Sequence, residues 1–243
     1  MLQKTLTHAG LVFLATLACT QPARAQQTLN FTVGFFAPTG EDARVAGDII
    51  NADRTFLFFD VDDFGSATVG GEWLLPIGKY IEAGAGVSYS RQTVTSVYEE
   101  FVDSDGTEIV QDLRLRMTPI AFTVRVLPLG QSFPVQPYFG AGLALINWRY
   151  SETGEFVDFG AGREIFYDSY AASGTESGPV MLGGVRFAVG HVSAGGEVRY
   201  QKADAELNED FPGSLCWPPG LQDQPCRIDL GGWTYNFTVG LRF

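Results

Sequence analysis

The sequence predicts an all-β chain, an eight-stranded antiparallel transmembrane β-barrel, and three observations predict it. Eight segments alternate apolar and polar residues with the period of two that marks a strand. The connections between them are short and long in turn, the arrangement of a membrane barrel with tight turns at one end and loops at the other. All but three of the 28 acidic residues fall in the four long connections, and the exceptions, Glu72, Glu82 and Glu197, stand in the polar phase of their strands. A charge on the lipid face near the midplane costs about 2 to 4 kcal/mol, which is the cost that this segregation avoids.

The first segment, Leu29 to Ala37, sets Leu29, Phe31, Val33 and Phe35 in phase. After a long acidic insert, Gly65 to Leu75 resumes with Ala67, Val69, Trp73 and Leu75, and Pro76-Ile77-Gly78-Lys79 turns tightly. Tyr80 to Gln92 opposes Ile81, Ala83, Ala85, Val87 and Tyr89 to Glu82, Gly84, Gly86, Ser88 and Ser90. A second long connection carries Glu99, Glu100, Asp103 and Asp105. The fourth strand begins with Leu113, Leu115 and Met117, and its apolar phase slips across Pro119 to Ile120, Phe122, Val124 and Val126, as a β-bulge would produce. Leu127 to Val135 is the second short turn. Gln136 to Tyr150 supports two phases, Phe139, Ala141, Leu143 and Leu145 against Tyr138, Ile146 and Trp148, and the first is expected to face lipid. Glu152 to Gly178 is expected to be a third long loop, before a hairpin of Pro179 to Val189 with Val192 to Gln201 around Gly190-His191. Lys202 to Leu230 is the last long connection, and Gly232 to Phe243 alternates without a break.

The N-terminus has the form of a cleaved export signal. Lys4 provides a basic start, Ala9 to Cys19 a short apolar run, and Ala23-Arg24-Ala25 a cleavage site before Gln26. The expected division is therefore 1–25 signal peptide and 26–243 barrel domain. Cys19 is poorly placed as a lipid acceptor, because Leu17 lies one position off the usual lipoprotein pattern. Setting aside Lys4 and Arg24 leaves 14 of the 16 basic residues against 28 acidic ones, a charge near −14 and not the balance of a nucleic-acid binder. Cys216 and Cys226 then form an even pair in a secreted context and are expected to be disulfide-bonded. With only His191 beside them, no metal site or cofactor is expected.

Three stretches carry a family resemblance: Gln136-Pro137-Tyr138-Phe139-Gly140-Ala141-Gly142, the hairpin GGVRFAVGHVSAGGEVRYQ and the ending YNFTVGLRF. With them the chain resembles the small outer-membrane barrels, the group of the OmpA barrel domain, OmpX and the opacity-type surface proteins. The resemblance implies the bacterial outer membrane as location, and lipid and lipopolysaccharide as surroundings. It also implies that Tyr235, Phe237, Val239, Leu241 and Phe243 form a C-terminal signal read by the barrel assembly machinery. Unlike full-length OmpA, the chain shows no periplasmic domain after the barrel, and peptidoglycan anchoring by such a domain is not expected.

Candidate chemistry lies in the lumen. Glu72, Glu82, Arg125, Arg186, Glu197 and Arg199 come from five strands in the polar phase and are expected to form one interior ion-pair network, because unpaired buried charge is costly. An eight-stranded barrel is just wide enough to be filled by side chains. A filled lumen leaves membrane structure and surface interaction through the four acidic loops as the first functional reading. A narrow gate with exchanging pairs is the second. His191 sits in a short turn without a Ser or Asp motif to make a nucleophile and base, which argues against an enzyme. Asp103-Ser104-Asp105-Gly106 begins like a calcium loop but lacks the later ligands, so a hairpin tip is expected. Phe156, Phe159, Phe166, Tyr167 and Tyr170, with Phe56, Phe58 and Phe59, are read as hairpins continuing above the membrane in preference to an exposed binding surface. Cys216-Trp217-Pro218-Pro219-Gly220 reads as a rigid tip suited to an external partner. Arg91, Arg149 and Lys202 stand near the outer ends of their strands, where lone basic residues are usually solvated or paired.

Overall fold

Alternating strands leave no free edge once the first pairs with the last, and here they do. A computed structural model describes residues 26–158, 164–211, 215–218 and 220–243. The expected signal peptide, Cys19 and Phe159 lie outside these residues. The strands are β1 (Thr28–Pro38), β2 (Ser66–Pro76), β3 (Ile81–Val102), β4 (Glu108–Val126), β5 (Val135–Asp158), β6 (Glu164–Val189), β7 (Val192–Gln201), the short β8 (Asp204–Glu206) and β9 (Arg227–Asp229), and β10 (Gly232–Arg242). Strands β1 to β7 and β10 close into an antiparallel ring in the order β1-β10-β7-β6-β5-β4-β3-β2, while β8 and β9 pair separately in the last long connection.

The expected phases place the apolar rows outside. Phe31, Val33, Phe122, Val124, Phe139, Leu143, Phe187 and Phe237 are exposed, and together they make an apolar belt around the ring. Trp233 faces Tyr200 in the register, with ring centroids 4.8 Å apart, at the upper edge of the belt. The tight turns take residues that accept a left-handed backbone: Gly78, Gly130 and Gly190 have φ of 78°, 78° and 59°.

The structure corrects four expectations. First, β3 to β6 are far longer than the apolar rows that announce them. β5 spans 24 residues, about 80 Å of extended chain, against the roughly 9 to 11 that cross a bilayer. The pairing of β5 with β6 runs on to Asp158↔Glu164, so most of Glu152 to Gly178 is a strand hairpin instead of a loop. Second, there is no bulge at Pro119: β4 keeps one register with β5, from Met117↔Trp148 through Pro119↔Ile146 to Ile120↔Leu145. What changes there is the destination of the apolar side chains. Leu113, Leu115 and Met117 point into the barrel and are buried, whereas Ile120, Phe122 and Val124 point out. Third, Phe56, Phe58 and Phe59 do not continue a hairpin. The first connection instead folds over the ring mouth with a short helix α1 (Ile49–Asp53) and a 3-10 turn, Val61–Phe64. Fourth, the six lumen charges form two groups instead of one network, as described below. In the third connection Phe156 stacks on Phe166 at 5.8 Å and meets Tyr170 edge-on at 5.0 Å, while Tyr167 is exposed. The Asp103 to Gly106 segment is the tip between β3 and β4, closed by Asp103 N–H donating to Thr107 O at 2.8 Å.

Candidate functional site in the barrel interior

The interior has two storeys of opposite chemistry. In the storey nearer the short turns, Arg125 of β4 is fully buried and donates through Nη2 to Glu72 of β2 and, at 2.8 Å, to Glu197 of β7. Arg199, also of β7, donates to Glu197 Oε1 at 2.8 Å and reaches Glu72 Oε1 at 3.5 Å. Two cations and two anions thus close a square across the lumen. Arg186 of β6 and Glu82 of β3 make a separate pair at 2.7 Å, held from below by Gln136 Oε1, which accepts from Arg186 Nε at 2.9 Å. Tyr138 joins the square: its hydroxyl donates to Glu197 at 3.2 Å and its ring lies 4.8 Å from the Arg125 guanidinium carbon. Gln136 and Tyr138 were not among the candidate residues, although both stand in the polar phase of β5.

Small neighbours make room for these long side chains. Arg125 faces Gly140, Glu72 faces Gly86, Glu197 faces Gly184 and Arg186 faces Gly195 in the strand register. A Cβ at Gly184 would run into the Gly196 carbonyl oxygen and stand 2.7 Å from the Tyr138 hydroxyl, so close backbone approach and the tyrosine together require this glycine.

The upper storey is apolar and supplied by the loops. Ile49, Ile50, Leu57, Val61 and Phe64 from the first connection, and Leu207, Phe211, Ile228 and Leu230 from the last, pack on inward wall residues of the extended strands. Here lies the partner of the inward-facing Leu113, Leu115, Met117, Ile146 and Trp148. Asp48 anchors the plug: it caps α1 by accepting from Asn51 N–H at 3.1 Å, pairs with buried Arg44, and accepts from Asp229 N–H at 2.8 Å. Between the storeys is a cavity of about 30 Å³, room for a water or two, touching Glu72 and Arg199 below and Met117 and Val180 above.

One acidic contact is buried inside the plug. The Tyr150 hydroxyl donates to Asp53 Oδ2 at 3.0 Å, and Glu152 of the wall adjoins both. Burial first, then the Glu152 charge, pushes the Asp53 carboxyl well above its ordinary range. Burial likewise raises Glu152, to about 7.

The remaining candidates lie outside the lumen. Cys216 and Cys226 are joined, with Cα atoms 5.5 Å apart. Trp217 within that ring donates to Pro225 O at 2.9 Å and lies against Gly47, whose φ is 74°. The ring therefore steadies the contact between the last connection and the first. Replacing both cysteines by Ala is expected to lower stability by about 2 to 3 kcal/mol, read as a shift in urea midpoint with the barrel still closing. Tyr235, Phe237, Val239, Leu241 and Phe243 form one exposed outward row on and just beyond β10. His191 is exposed in the β6–β7 turn beside the Arg242 carbonyl. Among the described residues no group of His, Cys, Asp and Glu is arranged to hold a metal.

A closed eight-strand ring with an apolar belt outside and ion pairs inside is a transmembrane β-barrel of the outer-membrane type. One solved structure supports that fold. The outer-membrane protein OprG from Pseudomonas aeruginosa matches with a TM-score of 0.53 at 13% identity, over 90% of this chain and 96% of that one. Neisserial surface protein A has a TM-score of 0.45 at 12% identity, over 90% and 97%. Ail of Yersinia pestis, solved with the heparin analogue sucrose octasulfate, has a TM-score of 0.42 at 8% identity, over 90% and 99%. No family model matches the sequence, and no curated protein sequence matches it significantly.

Proposed function

We propose that residues 26–243 form an integral protein of the bacterial outer membrane, with a closed lumen, whose work is membrane structure and surface interaction at the loop end. The observation that carries this reading is the double closure of the interior: an ion-pair storey near the turns and an apolar storey beneath the loops. A pore has no use for a hydrophobic core in its mouth. A surface platform does, because packing there holds the long hairpins and the Cys216–Cys226 ring in fixed positions for a partner. On this reading the long-loop end is extracellular, residues 1–25 are removed on export, and the β10 row is read by the assembly machinery. The reading assigns no enzymatic role, and His191 in its turn meets the Arg242 carbonyl.

The test is topological. An epitope inserted at Gly106, an exposed hairpin tip with φ of 85°, is expected to bind antibody on intact cells. Labelling that appears only after the outer membrane is permeabilised would defeat the reading. A second reading, a narrow gated pore for small ions or solutes, draws on the small cavity between the storeys, which Glu72 and Arg199 reach from below. It requires the plug to leave the mouth.

A further inference from the structure

The wall residues above the apolar belt contain an arrangement that a strand ladder ordinarily avoids. Arg91 of β3 lies directly opposite Arg116 of β4, and Arg116 directly opposite Arg149 of β5. All three are exposed on the outer face, and Arg114 stands two residues further up β4 on the same face. Like charges directly opposite one another destabilise a sheet. The chain has 28 acidic residues with which to relieve this, and it does so elsewhere: Arg44, Arg54, Arg125, Arg186, Arg199 and Arg227 all hold carboxylates. Among the described residues, Arg91, Arg116 and Arg149 have neither a carboxylate nor a hydrogen-bond partner, and Arg114 only donates to Thr93 Oγ1 at 3.0 Å. The closest acid on this face of β4, Asp112, accepts instead from Thr95 at 2.6 Å. The four guanidinium groups with Ser151 and Thr153 line a shallow outward depression of about 320 Å³.

Its height says what it meets. The last apolar rung of the belt on these strands is Val87, Ile120 and Leu145, in register with one another. The arginine rung is four residues further up, roughly 10 Å above it after allowing for strand tilt. That is the level of lipid headgroups, and arginine stems can bend toward it. Adjacent strands are about 4.8 Å apart, so the rung spreads three planar forks over roughly 10 Å, more than one phosphate fills.

We propose that Arg91, Arg114, Arg116 and Arg149 form a binding site for the phosphates of a multiply phosphorylated lipid headgroup in the outer leaflet. The inference rests on the membrane placement proposed above. Bidentate pairing with phosphate oxygens would turn a repulsive rung into a clamp that grips β3, β4 and β5 at the base of the platform.

The experiment titrates detergent-refolded residues 26–243 with diphosphoryl lipid A and counts retained lipid by native mass spectrometry. Barrel closure is first checked by the heat-dependent gel shift, which reports the fold independently of lipid. Wild type is expected to retain lipid A at least tenfold more tightly than the R91Q/R116Q/R149Q variant, and to prefer it to the monophosphoryl form. Should the triple variant fail to close, R116Q alone serves, with about threefold loss expected. In micelles of an alkyl maltoside, which carry no phosphate, R116Q is expected to raise the urea midpoint by relieving the repulsion. Equal retention by wild type and a closed variant would overturn the site. Competition by millimolar inorganic phosphate as effective as lipid A would overturn the lipid assignment in favour of a free anion.

Discussion

Arg125→Leu is expected to be among the most damaging single substitutions in the barrel, costing about 3 to 5 kcal/mol. The arginine is almost wholly enclosed and joins Glu72 to Glu197, so its removal leaves two buried carboxylates sharing one cation, Arg199. Arg199 is itself partly exposed, and its contact with Glu72 is long at 3.5 Å. The penalty therefore comes from stranded charge more than from the lost bonds. The measurement is the urea midpoint of the refolded chain, read by gel shift in a fixed lipid. Adding Glu72→Gln to the same chain is expected to restore most of the loss, because Arg199 and Glu197, 2.8 Å apart, are then left as a balanced pair. A destabilisation that this substitution leaves untouched would mean that Arg125 acts by filling volume.

The plug is expected to loosen as pH rises. Glu152 is raised from an ordinary value of 4.5 to about 7, and Asp53 beside it is also raised, in both cases chiefly by burial. The folded chain thus holds protons that the unfolded chain has already lost between those values. The Glu152 contribution is fully present below the ordinary carboxylate range, falls through pH 5 and 6, and is gone above about 7, and the Asp53 contribution is lost in the same direction as pH rises. Each group contributes a slope of up to about 1.4 kcal/mol per pH unit within its window. Asp48 lies close enough to add to the Asp53 shift, and the Tyr98 and Tyr150 hydroxyls stay protonated throughout the window. Hydrogen exchange in α1 should accelerate between pH 5 and 7 beyond its intrinsic pH dependence, and Glu152→Gln should flatten most of that excess. An excess that survives in the variant would place the sensitive group elsewhere.

How far these features could be read from the sequence depended on whether their signal was periodic. The belt was legible because period-two alternation with lipid outside leaves a row such as Leu29, Phe31, Val33 and Phe35 that nothing else explains. Both phases of β5 were legible, and the one expected to meet lipid, Phe139, Ala141, Leu143 and Leu145, does face out. Phe139 and Leu143 face out while Tyr138, Ile146 and Trp148 face in, because the strand leaves the membrane and enters a hydrophobic core partway along. The same transition in β4 imitates a bulge at Pro119.

The plug was not legible, since its apolar residues are spread over short irregular turns. Asp48 before Ile49-Ile50 was the one local hint, a helix cap followed by apolar residues. The lumen charges were visible as polar-phase residues, but their division into a square and a pair depends on register. So does the meeting of Asp53 with Glu152 across the mouth of the barrel.

The central claim is that the lumen is closed, and single-channel recording in planar bilayers tests it most directly. Residues 26–243, refolded and shown by gel shift to be closed barrels, are expected to give no discrete conductance steps at low pH, where the plug is tightest. Discrete steps under those conditions that change in size with Glu82→Gln would contradict the account and make the ion pairs a working gate.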